Sequence, residues 1–65
     1  MNSKEIGKKL VALRGKKSQE EVAKAIGISI SALSMYERGE RIPRDTIKIR
    51  LSSYYQTPIQ DIFYQ

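Results

Sequence analysis

The chain contains no cysteine and no histidine. Without cysteine there is no disulfide to staple a small fold and no thiolate to hold a metal. Without histidine the commonest general base and the commonest metal ligand are gone, and with them every Ser-His or Cys-His nucleophile arrangement. No catalytic residues, metal, cofactor or small-molecule ligand are therefore expected. Long apolar runs are also missing. The longest, Leu10–Leu13, falls far short of the roughly 20 residues a membrane helix needs. The opening Met-Asn-Ser-Lys-Glu has no apolar segment behind it of the kind a signal peptide requires. Low-complexity tracts, repeats and Pro/Ser linkers are lacking, and no stretch alternates apolar with polar residues for long enough to read as a strand. With 65 residues there is no room for a cleft between two lobes or a doubly wound sheet. The expectation is one soluble, cytoplasmic domain over residues 1–65, with no membrane attachment and no chemistry of its own.

What is present is positive charge and helical spacing. Twelve Lys and Arg outnumber seven Asp and Glu, a net charge of +5, and the pI is near 9.8. Nucleic acid is the leading partner class for a small domain this basic, because clustered cations are matched by backbone phosphates. Charge alone leaves a membrane-surface protein or a binder of acidic proteins open. Apolar residues recur with helical period: Ile6, Leu10 and Leu13; Val22 and Ile26; Leu33 and Tyr36; Ile47, Leu51 and Tyr54 or Tyr55. Helix starts carry their own chemistry. Ser18-Gln-Glu-Glu21 fits a capping box, and Thr57-Pro58-Ile-Gln60 repeats the pattern with Pro58 at the first helical position. Asn2, Ser29 and Asp45 are further N-cap candidates. The spacing predicts an all-α, compact five-helix bundle, with helices at about 3–14, 18–25, 29–37, 45–55 and 58–63. A core this small supplies no more than about 3–5 kcal/mol, so dimerisation or ligand binding would help.

Residues 18–39 carry the most information. Two short helices cross steeply only if several positions obey steric rules. Ala23 is small where the helices approach, and Gly27 suits a left-handed turn after the first helix. Val22, Ile26, Ile28, Leu33 and Tyr36 fill the angle between them. Gln19, Val22, Ala23, Gly27, Ile28, Ser29, Leu33, Ser34, Glu37 and Gly39 together resemble the helix-turn-helix of phage repressor and Cro-type regulators. That family is also called the xenobiotic-response-element family, and its fold lambda-repressor-like. Leu10-Val-Ala-Leu-Arg14 resembles its first helix, Tyr36-Glu-Arg-Gly-Glu-Arg-Ile-Pro43 the loop behind its recognition helix, and Asp61-Ile-Phe63 a common ending. The linker Gly15-Lys-Lys17 is shorter than the family's usual one.

The resemblance implies a binder of double-stranded DNA whose second motif helix, 29–37, enters the major groove while the first crosses the backbone. Residues opposite the Leu33/Tyr36 stripe must then face the bases: Ser31, Ser34 and Met35, with Ser29 and Ile30 at the leading turn. These are unusual readers. No Arg, Gln or Asn lies in 29–35, so the strong bidentate pairs to guanine or adenine are missing. Ile30 and Met35 offer only apolar contact, chiefly to thymine methyls, and DNA shape would supply part of the discrimination. Phosphate contacts are expected from Lys16, Lys17, Gln19, Arg38, Arg41 and Arg44, with Gln19 at the first turn of helix 18–25. The resemblance also implies an ion pair between Arg14 and Glu37 that fixes the helices' mutual orientation.

Repressors of this type bind two-fold symmetric operators as homodimers. The stretch from Tyr54 to Tyr64 holds four of the five aromatic residues and is the candidate dimer surface, although Tyr55, Ile62 and Phe63 could equally close the core. The leading expectation is a small, nucleoid-associated, Cro-like transcriptional repressor. A protein-interaction module, such as an antitoxin or anti-repressor, and a general RNA- or nucleoid-binding protein are the alternatives.

Overall fold

A computed structural model describes residues 2–64; Met1 and Gln65, the ends of the expected 1–65 unit, lie outside the described residues. Five α-helices follow one another: α1 (Ser3–Arg14), α2 (Gln19–Ile26), α3 (Ile30–Glu37), α4 (Asp45–Tyr55) and α5 (Ile59–Phe63). Among the described residues there is no strand. The fold is all-α.

Local side-chain bonds set the first three helix starts. Asn2 Oδ1 accepts from the Glu5 N–H at 2.9 Å, Ser18 Oγ from Glu21 at 3.0 Å and Ser29 Oγ from Ala32 at 3.0 Å. Each oxygen satisfies one of the N–H groups that a helix start leaves unpaired. Because Ser18 and Ser29 cap from outside, α2 and α3 each begin one residue later than expected. The last two starts differ from expectation. Arg44, extended at φ −69° and ψ 167°, is the N-cap of α4 and makes no side-chain cap bond; Asp45 is already helical. From there its carboxylate still favours the positive end of the helix dipole. At α5 the N-cap is Pro58, and Thr57 Oγ1 donates to the Tyr55 carbonyl at 3.0 Å. The cause is the end of α4: Gln56 is left-handed at φ 53°, and the Thr57 N–H bonds Ser52 O at 3.1 Å. Thr57 thus belongs to the exit turn of α4 and is unavailable as a cap.

Between α2 and α3 the chain turns at Gly27, left-handed at φ 77° and ψ 36°. Its N–H reaches Lys24 O, and that of Ile28 reaches Ala23 O at 2.9 Å. This paired closure is the Schellman arrangement, which a side chain at Gly27 would strain. One core then collects the apolar stripes of all five helices. Leu10, Val22, Leu33, Leu51 and Ile62 are fully buried. Each contributes about 1.5–3 kcal/mol of apolar burial. Ala23 sits buried at the α2–α3 crossing, and Tyr36 and Ile47 close the α3–α4 side. Ile62 and Phe63 belong to this core, while Tyr54 and Tyr55 pack half-buried against it, edge to face at 5.2 Å. Of the expected C-terminal dimer surface, Tyr64 is the large side chain left well exposed. Among the described residues no helix is long and apolar enough to cross a membrane.

Candidate nucleic-acid interface

The α3 helix is two-faced. Leu33 and Tyr36 point into the core, while Ser29, Ile30 and Ser31 are exposed and Ser34 and Met35 are half-buried. Ile30 keeps 46% of its surface open, so it is not a core residue. The five side chains read from the sequence as base-facing thus lie at or near the surface of one short rod. One of them has limited freedom: the Ser29 oxygen is engaged as the N-cap of α3.

A carboxylate fixes how that rod is held. Arg14 Nε donates to Glu37 Oε2 at 2.8 Å and Arg14 Nη2 to Glu37 Oε1 at 3.1 Å. Gln19 Nε2 donates to the same Oε1 at 2.7 Å. Arg14 also donates through Nη1 to the Lys17 carbonyl at 2.7 Å, tying down the α1–α2 linker. The ends of α1 and α3 and the start of α2 therefore converge on one carboxyl group, whose side chain is 3% exposed. Burying it is affordable because both oxygens receive charged or polar donors. The bond to Glu37 pushes the Arg14 guanidinium further toward its charged form, against the opposing effect of desolvation. Beside this group the Tyr55 hydroxyl is buried and has no partner. Burial, and then the negative charge of Glu37, push its pKa up to about 12.

The cations flank the motif along the chain, before α2 and after α3. Lys16 and Lys17 are exposed ahead of α2, with Lys17 Nζ 5.7 Å from the centre of the Tyr54 ring. Gln19 stands at the first turn of α2, but one donor of its amide is committed to Glu37. Behind α3, Arg38 grips Glu40 through two contacts, Nε to Oε2 at 3.0 Å and Nη2 to Oε1 at 3.1 Å. Both side chains are more than half exposed, so water competes for each. Arg41 and Arg44 are exposed and share a groove between α3 and α4 with Arg50, over a floor that includes Tyr36 and Ile47.

Several residues here escaped the sequence reading. Arg50 Nη1 bonds the carbonyl of Ile26 at the end of α2, a contact that sequence distance hides. Lys9 Nζ donates to the Asp61 carbonyl at 2.6 Å, joining α1 to α5. Gly7 is the one that left a signal. A glycine inside a helix costs about 1 kcal/mol, which calls for a packing reason. Here a Cβ would collide with the carbonyl oxygen of Glu37 and stand 2.9 Å from that of Tyr36. The closeness of α1 to the end of α3 depends on its absence. Among the described residues no group of Asp or Glu could hold a metal ion.

Comparison with known proteins agrees with this architecture. Comparison with curated proteins and with solved structures gives no significant match. The family model for the helix-turn-helix matches residues 8–62, which takes in the second half of α1, all of α2, α3 and α4, and most of α5. With that share of its length matched, the chain belongs to the helix-turn-helix family of the phage repressor and Cro type, a family of DNA-binding regulators.

Proposed function

We propose that the chain is a Cro-like transcriptional repressor that binds duplex DNA sequence-specifically, as a homodimer on a two-fold symmetric operator. Helix α3 lies in the major groove and offers Ser29, Ile30, Ser31, Ser34 and Met35 to base edges. Lys16, Lys17, Gln19, Arg38, Arg41 and Arg44 contact phosphates on either side. The observation that carries this reading is the orientation of α3. Its C-terminal end is locked to α1 and α2 through Glu37, while its leading turn is exposed and cations precede α2 and follow α3 along the chain. A backbone held that rigidly needs little further ordering on docking, so the remaining entropy loss falls mainly on the side chains. The homodimer is drawn to the C-terminal stretch, where Tyr64 is 59% exposed.

The test is a footprint of the purified chain on DNA flanking its own gene, titrated with salt. Protection of two half-sites about one helical turn apart is expected. If the five Lys and Arg named above each engage a phosphate, the log–log salt slope is about −4 to −5 per domain. Salt-sensitive binding with no preference among duplexes would overturn the repressor reading.

A further inference from the structure

We infer that α3 reads pyrimidine 5-methyl groups, distinguishing thymine from uracil and 5-methylcytosine from cytosine, with Ile30 and Met35 as the reading side chains. The inference rests on α3 being the helix that enters the groove.

It follows from where the polar side chains of the motif are engaged. The exposed turns of α3 carry no planar group that could make two bonds to a base edge; the nearest ones lie off that helix face, with Arg14 and one donor of Gln19 on Glu37, and Arg38, Arg41 and Arg44 in the segment behind α3. Along α3 itself the polar candidates are single hydroxyls, and the Ser29 oxygen caps the helix. Ser31 is exposed but can bond to several bases alike. Against this stands Ile30 in the first turn, 46% exposed and outside the core. Met35, half-buried, lies one turn on from Ser31. In the major groove the apolar feature of a base edge is the 5-methyl group of thymine, and 5-methylcytosine carries a methyl on the same ring carbon. A β-branched side chain suits that contact. Its χ1 is already restricted, so little rotamer freedom is lost when it meets the methyl.

The test begins by selecting duplexes from a random-sequence library with the full chain. Each thymine of the selected site is then replaced in turn by uracil, by cytosine and by 5-methylcytosine, the opposite adenine being changed to guanine for the last two. At one or two positions uracil should weaken binding about four-fold, the factor that corresponds to leaving one methyl-sized group in water. At the same positions 5-methylcytosine should bind about four-fold more tightly than cytosine. Both differences should vanish in Ile30→Ala or in Met35→Ala, whichever faces that base, measured at a temperature where a thermal melt shows each variant still folded.

The inference is overturned if every uracil is silent in the wild-type chain. It is equally overturned if both alanine variants keep the wild-type preference for thymine over uracil. A selected site that ignores all methyl groups leaves α3 in the groove and sinks the methyl readout alone. Recovery of no preferred duplex at all brings down the groove reading itself, and the inference with it.

Discussion

Two arginine–glutamate contacts lie at the end of α3, and their lengths barely differ. Arg14 meets Glu37 at 2.8 Å; Arg38 meets Glu40 at 3.0 Å. Their surroundings differ greatly. The Glu37 side chain is 3% exposed and that of Arg14 is 19%, whereas Arg38 and Glu40 are 58% and 55% exposed. Out of water each charge depends on its partner, and removing one leaves the other stranded. In water the same geometry is screened by salt and opposed by side-chain entropy, so it contributes from nothing to about 1 kcal/mol. Bond length therefore says little about worth. The buried pair sets the architecture of the motif, and the exposed pair remains exchangeable.

The strongest way to break the comparison is Glu37→Ala. It would strand the Arg14 guanidinium and remove the acceptor of the Gln19 amide. Loss of one partner from a buried pair costs about 3–5 kcal/mol; with Arg14 19% exposed and still bonded to the Lys17 carbonyl, the lower end applies. A core of this size holds about the same amount in total, so the variant should lose most of its cooperative thermal transition. A melt followed by circular dichroism checks this. An unchanged midpoint would erase the distinction between the two pairs.

Next in size is Gly7→Ala, which attacks the backbone beneath the buried pair. Two effects compete. Alanine is the better helix former by about 1 kcal/mol. Its methyl, however, would strike the Glu37 carbonyl, and overpacking costs about 1–3 kcal/mol. Main chain cannot swing aside as a long side chain can, so the clash should win and the midpoint should fall. A rise would mean that α1 can move away from α3 without penalty.

Tyr55→Phe probes the environment that makes the first pair strong. The buried hydroxyl has no partner, so at neutral pH its removal should leave stability unchanged or raise it by about 1 kcal/mol. The alkaline behaviour is sharper. The phenol ionises at 10.0 when unperturbed and at about 12 in the folded chain. Folding thus favours the protonated form, and the stability linked to it is present below pH 10 and lost as pH rises toward 12. The phenylalanine variant lacks this loss. Its advantage in melting temperature should widen across that window, and a constant difference would mean that Tyr55 ionises as freely in the folded chain as in the unfolded.

What the sequence makes legible follows the same division between near and far. Ser18, Ser29 and Gly27 act within about three residues of themselves, and the motif they delimit was readable from local chemistry. Asp45 and Thr57 carry equally good cap signals, yet Arg44 and Pro58 hold those places. At Thr57 the reason is the left-handed exit of α4 through Gln56. Gln19 has the residue type and position of a phosphate ligand, but its amide is drawn to a carboxylate 18 residues away in the chain. Gly7 and Arg50 owe their roles to partners 30 and 24 residues distant. Nothing local encodes such distances; what sequence offers there is a residue that looks out of place.

The smallest change in stability, and the sharpest test of the exposed pair, is Glu40→Gln. Folding should shift by no more than about 0.5 kcal/mol, because water already solvates both partners. Binding to DNA should respond more. Glu40 adds negative charge behind α3 and occupies the Nε/Nη2 edge of the Arg38 guanidinium. A phosphate must displace it before Arg38 can bind there. With the carboxylate gone, Arg38 should reach the backbone unopposed, tightening binding to any duplex and steepening the log–log salt slope by up to about 0.9. Because the contact is to phosphate, the order of preferred sequences should stay as it was. In an Arg38→Gln background the same substitution should leave the slope alone. If affinity and slope are unaltered even with Arg38 present, that arginine meets no phosphate, and the exposed pair is an ornament of the surface rather than a gate on the cation beside the groove.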